Sequence, residues 1–166
     1  MQNVSLDKMG VALAEHLKAD AGIKAFCNEV FGKDIAILVG DPTDSSLPTE
    51  DDAPYIFMWG FKKKEGLKMK NPCEYICNFG LGVYVKDDDS ETDSGVVIFG
   101  GFERIAQLQN LVQHSLNDFN DGCKPPDEVE TDIMGALDSG NSHWAANVCA
   151  TWQEPQILGM DEITDF

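Results

Sequence analysis

The chain has 166 residues, of which 29 are acidic and 12 basic, so its formal net charge at pH 7 is -17. Hydrophobic residues make up 43% and charged residues 25%, a globular composition that excludes a wholly disordered chain. The length predicts a single domain over residues 1–166 that buries a core without a disulfide or metal. Arg104 is the only arginine, the side chain best suited to phosphates and guanine edges, so we expect no sequence-specific nucleic-acid binding.

The cysteines are odd in number and do not have zinc-binding spacing: Cys27, Cys73, Cys77, Cys123 and Cys149. Most lie among apolar residues, so we expect reduced, buried side chains, as in a reducing compartment. The first residues lack the basic and apolar regions of a signal peptide, and no apolar run approaches the roughly 18 residues that span a membrane. We therefore expect neither secretion nor a membrane partner.

The first part of the chain predicts two helices followed by a strand. Ser5 is a suitable N-cap, and apolar residues recur after it at helical spacing as far as Leu17. Asp20 predicts the start of a second, shorter helix, and Gly32 is placed to end it in a left-handed C-cap. The run from Ile35 to Val39 is too short for a helix and predicts a strand.

The next segments predict a long antiparallel hairpin. Pro54 opens the first strand, and the apolar stretch from Tyr55 to Phe61 indicates a central position in a sheet. From Glu74 to Val85, apolar and polar residues alternate, which is the clearest strand pattern in the chain. The lysine-rich residues 62–72 connect the two strands.

The second half predicts a short strand, a long helix and a final strand. Val96 to Phe99 indicate the short strand, and an amphipathic helix is expected from about Phe102 to Phe119. Residues 120–142 predict a polar loop with one helical turn near Ile133-Met134. His143 to Trp152 alternate again and predict the last strand.

The order α-β-β-β-α-β predicts an α+β fold. We expect one antiparallel or mixed sheet of about four to five strands, with two main helices packed on one face. The acidic residues 153–166 follow the last element and predict a loosely ordered C-terminal tail.

No sequence pattern is typical of catalysis or cofactor binding. The histidines are expected in two helices and at a strand start, with no nucleophile beside them in a known arrangement: His16, His114 and His143. Gly80 and Gly82 lie inside a strand and not in a phosphate-binding turn. The acids of residues 89–93 are spaced like the start of a calcium loop, whose later glycine and glutamate are missing. We expect no enzyme activity, cofactor or bound metal.

Charge segregation along the chain is the feature that points to a function. Five of the 12 basic residues lie within the predicted hairpin connection: Lys62, Lys63, Lys64, Lys68 and Lys70. Acids concentrate in residues 41–52 and 87–93, and we select five of them as candidate interface residues: Asp51, Asp52, Asp87, Asp88 and Asp89. Head-to-tail contacts between copies would join the two signs of charge. The alternative is a solvated hairpin whose charges protect a sheet edge.

The order of elements resembles that of the tail terminator proteins of long-tailed bacteriophages. The likeness is carried by Asp52 to Met58, Tyr75 to Val85, Ile105 to Phe119 and Trp144 to Trp152, and it covers most of residues 5–152. Two loops, 86–101 and 121–142, and the segment after Trp152 make this chain longer than compact members of the family.

The resemblance implies a virion structural protein of the tail, present in the host cytoplasm during assembly. Such proteins form a hexameric ring on the last ring of tail tube protein, stop tube growth and present the surface that joins the head. It implies three partners: other copies of the chain, the tail tube protein and a head-completion or neck protein. The family brings no catalytic residues. A sister neck or tail-tube protein would have the same fold.

Two other interpretations of the sequence stay open. One is a small acidic binding module, an inhibitor or DNA mimic that acts on a basic partner protein. The other is an enzyme of unrecognised type, which would need a concave site containing a histidine and a perturbed carboxylate.

Overall fold

A computed structural model describes residues 5–40, 48–65, 73–85, 90–93, 95–119, 124–138, 140 and 142–154. Within these ranges the chain forms three helices and seven strands: α1 (Leu6–Ala19), α2 (Ala21–Phe31), β1 (Ala36–Val39), β2 (Tyr55–Lys64), β3 (Cys73–Tyr84), β4 (Ser90–Asp93), β5 (Val96–Phe99), α3 (Gly100–Asn117), β6 (Glu128–Ala136) and β7 (His143–Glu154). A 3-10 turn, Glu50–Asp52, precedes β2. None of the described helices combines the length and apolar character that a membrane crossing requires.

Local signals set both ends of α2, as predicted, whereas the predicted cap of α1 makes no capping hydrogen bond. Ser5 occupies the N-cap position of α1, although its side chain caps no backbone amide. Asp20 caps α2, because its Oδ1 accepts a hydrogen bond from the Ile23 N–H at 2.9 Å. Gly32 ends α2 with a left-handed φ of 68°, a conformation that glycine adopts at little cost.

Five strands form one mixed sheet in the order β1-β2-β3-β7-β6, and β4 pairs with β5 in a separate hairpin. β1 runs parallel to β2, and the other neighbours in the large sheet are antiparallel. β3 and β7 pair over 12 residues each, from Cys73 opposite Glu154 to Tyr84 opposite His143. The predicted α+β fold with a mixed sheet is confirmed, and so is the second, shorter helix α2; the strands that were not predicted are β4 and β6.

The helices form one layer beside the large sheet: α1 and α3 pack against its strands, and α2 packs against α1 and α3, with the core between the layers. On β3, the residues of the predicted apolar face are buried: Tyr75, Cys77, Phe79, Leu81 and Val83. The apolar residues of α3 pack against this face of β3. Four of them have no exposed surface: Ile105, Leu108, Val112 and Leu116. Full burial of one such side chain contributes about 1.5–3 kcal/mol, so this interface makes a large contribution to the stability of the fold.

The predicted loop at residues 120–142 is corrected by the structure. Glu128–Ala136 form β6, an edge strand paired with β7, and there is no helical turn at Ile133-Met134. The strand pattern is weak because the pairing register shifts between Ile133 and Gly135, where φ is 94°. An edge strand also tolerates polar residues over much of its length.

The predicted tail at residues 153–166 begins too early. Gln153 and Glu154 continue β7, where they pair with Glu74 and Cys73. The rest of that predicted tail lies outside the described residues, as does Cys123. Cys27, Cys73 and Cys77 are buried free thiols, which agrees with the expectation for them, whereas Cys149 is half-buried.

Candidate interaction surface

The second face of the large sheet is not covered by any described helix. Strand pairing aligns its side chains in rows that cross β2, β3, β7 and β6. Two of these rows are Lys62, Ile76, Thr151 and Glu128, and Trp59, Asn78, Cys149 and Glu130. All of these side chains are exposed or half-buried. We call this surface the open face.

Charge changes sign across the open face. Lys62 and Lys64 lie on β2, while β6 carries acids at every second position: Glu128, Glu130 and Asp132. With strands about 4.8 Å apart, three strand spacings, or about 14 Å, separate the two rows of charge. The pKa of Cys149, which lies between them, is raised mainly by burial and further by the β6 carboxylates, whereas the Lys62 ammonium acts in the opposite direction.

The three described lysines of the candidate interface have different surroundings. Lys63 Nζ lies 5.6 Å from the centre of the Tyr75 ring and pairs with Glu65, which raises the pKa of Lys63. Lys64 Nζ donates to Glu74 Oε2 at 2.6 Å across the hairpin. Lys62 is exposed and forms no ion pair with any described residue, so its charge is the most available for an external contact. The other two candidates, Lys68 and Lys70, lie outside the described residues.

The two described acids of the candidate interface lie at the opposite end of β2. Asp52 Oδ2 accepts hydrogen bonds from the Thr49 N–H at 2.8 Å and the Thr49 hydroxyl at 3.1 Å, which lower the pKa of Asp52. The carbonyl of Asp51 accepts from Lys33 Nζ at 3.1 Å. Because β2 has ten residues, about 30 Å separates these acids from Lys64.

Among the described candidates, the structure therefore does not bring the lysines of β2 together with Asp51 and Asp52 within one chain. Asp87, Asp88 and Asp89 lie outside the described residues. The described lysines and the two described acids lie at opposite ends of β2, where each group can contact another molecule.

A second surface was not singled out by the sequence patterns. Of the exposed large apolar side chains among the described residues, seven lie on β5, at the start of α3 and at the end of β6: Val96, Val97, Ile98, Phe99, Phe102, Met134 and Leu137. The Phe99 and Phe102 rings flank Trp144, with centroid distances of 6.1 and 6.4 Å. Exposed apolar groups concentrated in this way mark protein contact surfaces. The available signal was the unbroken apolar sequence of β5, which is equally typical of a buried strand.

The three tryptophans of the chain, which are candidates for anchoring an interface, differ in exposure. Trp59 is 40% exposed on the open face, whereas Trp144 and Trp152 are buried. Trp59 is therefore the tryptophan that a partner can reach directly.

The histidines hold structural positions in the described chain. His16 Nε2 donates to the carbonyl of Ser115 at 2.7 Å, which ties α1 to α3. His143 Nε2 lies 3.2 Å from the Tyr55 hydroxyl, and His114 is exposed on α3. No group of three metal-ligating side chains comes together among the residues that the structure describes.

Hydrogen-bonded aspartates predict a stability that falls at acid pH. Asp138 Oδ1 accepts from the backbone N–H groups of His143 and Ser142 at 2.9 and 2.8 Å, and these bonds lower the pKa of Asp138. Because the folded pKa lies below the unfolded value of about 3.9, the stabilisation is complete above that pH. It is lost as the pH falls through the folded pKa.

We expect the melting temperature to be constant above about pH 5 and to fall in more acid solution. Asp138→Asn should fall less steeply than the wild type, because one titrating group is removed. Thermal melts followed by circular dichroism at a series of pH values measure both slopes. Equal slopes for the two proteins would assign the acid sensitivity to other groups.

No protein-family model and no curated protein matches the chain. The fold and the surfaces described above therefore carry the functional argument.

Proposed function

We propose that the protein is a tail terminator-like structural protein of a phage or prophage virion. It caps the tail tube as a ring and forms the surface that joins the tail to the head. The observation that carries this proposal is that surfaces of opposite charge lie towards opposite edges of the open face of one sheet. Acids lie on the β6 side of the open face and lysines on the β2 side.

Unlike surfaces on opposite sides of a subunit favour head-to-tail association. A contact of this kind closes into a ring when the rotation between subunits divides a full turn, whereas a two-fold dimer needs one self-complementary patch. Each subunit then presents its lysines to the acids of the next. The acidic surplus of the chain also suits a passage for DNA, because like charges disfavour adhesion to the phosphates.

The resemblance to the tail terminator family supports the same function. Its segments correspond to β2, β3, α3 and β7, which form the centre of the fold. The two loops that make this chain longer than compact members contain the β4–β5 hairpin and β6. The parts added to the shared pattern are thus the parts that carry the exposed apolar residues and the row of acids.

The assembled state that we propose is a hexameric ring in the virion tail, built from subunits made in the host cytoplasm. Its partners are the tail tube protein on one side and a head-completion or neck protein on the other. Neither contact involves a cofactor, a membrane or sequence-specific binding to nucleic acid.

Deletion of the gene from its phage or prophage tests the proposed function. Electron microscopy of induced lysates should show overlong tail tubes and heads without tails, because nothing stops tube growth or offers the joining surface. A plasmid copy of the gene should restore tails of normal length. Normal tails joined to heads in the deletion strain would contradict the proposal.

Charge reversal at Lys62 is expected to weaken self-association. Lys62→Glu places an acid opposite the β6 acids of the next copy, so the dissociation constant should rise about tenfold at low salt, equivalent to about 1.4 kcal/mol. The difference should shrink as added salt screens the charges. Sedimentation at two salt concentrations measures it.

Lys8→Glu is the matched control for Lys62→Glu, because it makes the same change in net charge at an exposed position of α1. We expect Lys8→Glu to associate like the wild type. An equal loss in both variants would assign the effect to net charge, and no loss in Lys62→Glu would remove this residue from the interface.

The second candidate, an acidic module that binds a basic partner, is favoured by one observation. Glu128, Glu130 and Asp132 repeat about every 6.6 Å along a strand, so they form a regular row on a rigid element. Such a module should bind a basic DNA-binding domain in a salt-sensitive manner. The triple change Glu128→Gln, Glu130→Gln and Asp132→Asn should then abolish binding, and tail assembly should not depend on the gene.

A further inference from the structure

The β4–β5 hairpin lies outside the large sheet, and the apolar side chains of β5 stay partly exposed. Val96, Val97, Ile98 and Phe99 are 59%, 52%, 38% and 39% exposed. A strand that alternates between two faces normally hides one of them, but here all four side chains keep more than a third of their surface exposed, although Phe99 contacts Trp144. The hairpin forms its own two-stranded sheet, and no described strand pairs with the outer edge of β5. A two-stranded hairpin alone is at best marginally stable, so this one gains from a partner.

A groove with matching properties lies at the opposite edge of the molecule. It has a volume of about 530 Å³ and is lined by Ala14, Glu15, Lys18, Ala19, Lys24 and Ile37, from α1, α2 and β1. Val39, on the same face of β1 as Ile37, is 49% exposed. α1 and β1 approach closely here, because a Cβ at Gly10 would lie 3.5 Å from Val39 Cγ1.

We infer that the β4–β5 hairpin of one copy docks into the groove between α1, α2 and β1 of a second copy, with β5 pairing along the free edge of β1. This contact rests on the proposed function, since it is a second part of the same head-to-tail joint, beside the contact of the β2 lysines with the β6 acids of the next copy.

Three properties of the described residues select a second copy as the occupant. β1 and β5 are each four residues long, and no described strand pairs with the outer edge of either. Adding a strand there satisfies the backbone groups of both edges. The groove offers apolar surface at Ile37 and Val39 for the side chains of β5.

The third property is the charge of the groove compared with that of the hairpin. The groove has two lysines against one glutamate, whereas the sequence of β4, Ser-Glu-Thr-Asp, adds two acids and no base. The other free edge of the sheet, β6, carries three acids and repels such a hairpin. The hairpin is therefore directed to β1 and away from β6.

The test uses two full-length variants, each of which disables one half of the joint. Val97→Asp charges the hairpin and Val39→Asp charges the groove edge, and both positions are about half exposed, so the fold should survive. Circular dichroism and thermal melts confirm that it does. Sedimentation equilibrium then measures association over a concentration series.

We expect the wild type to form closed oligomers and each variant alone to dissociate at least about tenfold more readily, the loss typical of a hot-spot residue. A 1:1 mixture of the two variants should form dimers and nothing larger. In the mixture, the intact hairpin of Val39→Asp meets the intact groove of Val97→Asp, and no second joint is available. Such dimers are the signature of a head-to-tail contact.

Asn110→Asp is the control, because it adds the same charge at an exposed position of α3 that neither half of the joint uses. It should associate like the wild type. Equal loss of association in Asn110→Asp and Val97→Asp would assign the effect to net charge and overturn the inference. A mixture that stays monomeric, or a monomeric wild type at the highest soluble concentration, would also overturn it. Neither result decides the proposed function, which depends on the tail lengths of the deletion phage.

Discussion

Trp152→Ala is expected to lower the free energy of unfolding by about 3–5 kcal/mol, the range for removing a large buried aromatic side chain. Trp152 has no exposed surface and belongs to the core between the sheet and the helices. Its Nε1–H also donates to the carbonyl of Lys124 at 3.2 Å, which holds the segment before β6 against β7. The variant therefore loses apolar contacts and a hydrogen bond together.

Trp59→Ala is the matched control for Trp152→Ala, since it removes the same side chain from a position that is 40% exposed. We expect a loss below about 1 kcal/mol, as for surface substitutions in general. Urea unfolding followed by circular dichroism compares the two without relying on tryptophan fluorescence. Equal losses would contradict the burial of Trp152.

Gly82→Ala is expected to destabilise the protein by about 1–3 kcal/mol, because it overpacks a close contact between two strands. Gly82 pairs with Tyr55 across the sheet, and a Cβ at position 82 would overlap the Tyr55 ring. Tyr55 is only 7% exposed and has little room to move, since its hydroxyl also lies beside His143. The strain must then be relieved by displacement of β2 or β3.

Gly80→Ala is the control for Gly82→Ala, two residues away on the same face of β3. A Cβ there would lie 3.7 Å from the Phe57 carbonyl oxygen, an ordinary contact, so the change should be neutral or stabilising by about 0.5–1 kcal/mol. In a Tyr55→Ala background, the penalty of Gly82→Ala should disappear, because the overlapping ring is gone. A penalty that persists there would place the strain elsewhere.

Local and periodic signals account for what was predictable from the sequence. The ends of α2 follow from the side chain of Asp20 and the missing Cβ of Gly32, and neither depends on distant contacts. The alternation along β3 is strong because this strand lies in the middle of the sheet with helices on one face only. Burial on one side and partial exposure on the other impose a period of two.

The wrong predictions concern segments whose secondary structure or position depends on pairing with other strands. Three acids of β6 occupy alternate positions, and its middle also has Thr131 and exposed Met134, so its composition is typical of a loop. Only pairing with β7 makes it a strand. The apolar sequence of β5 is typical of a core strand. In the structure, however, β5 pairs with β4 in a separate hairpin and not with a strand of the large sheet.

The candidate interface shows the same limit. Exposure of Lys62 follows from a run of charges at the end of a strand and was predictable. The distance between these lysines and Asp51 or Asp52 was not, because it depends on which strand connects them and for how many residues. Charge in a sequence indicates what a surface attracts, and the fold decides where that surface lies.

The pairing of β3 with β7 also affects how quickly subunits become available. Tyr84 pairs with His143, and Cys73 pairs with Glu154, so the paired residues are about 60–80 residues apart in the chain. At ribosomal rates of about 5–20 residues per second, several seconds pass between the synthesis of β3 and that of β7. During that time, β3 has one unsatisfied edge, and such long-range closure is intrinsically slow. Nascent chains are therefore most prone to mispairing before β7 emerges, and a subunit can complete its sheet only after the last strand has been made.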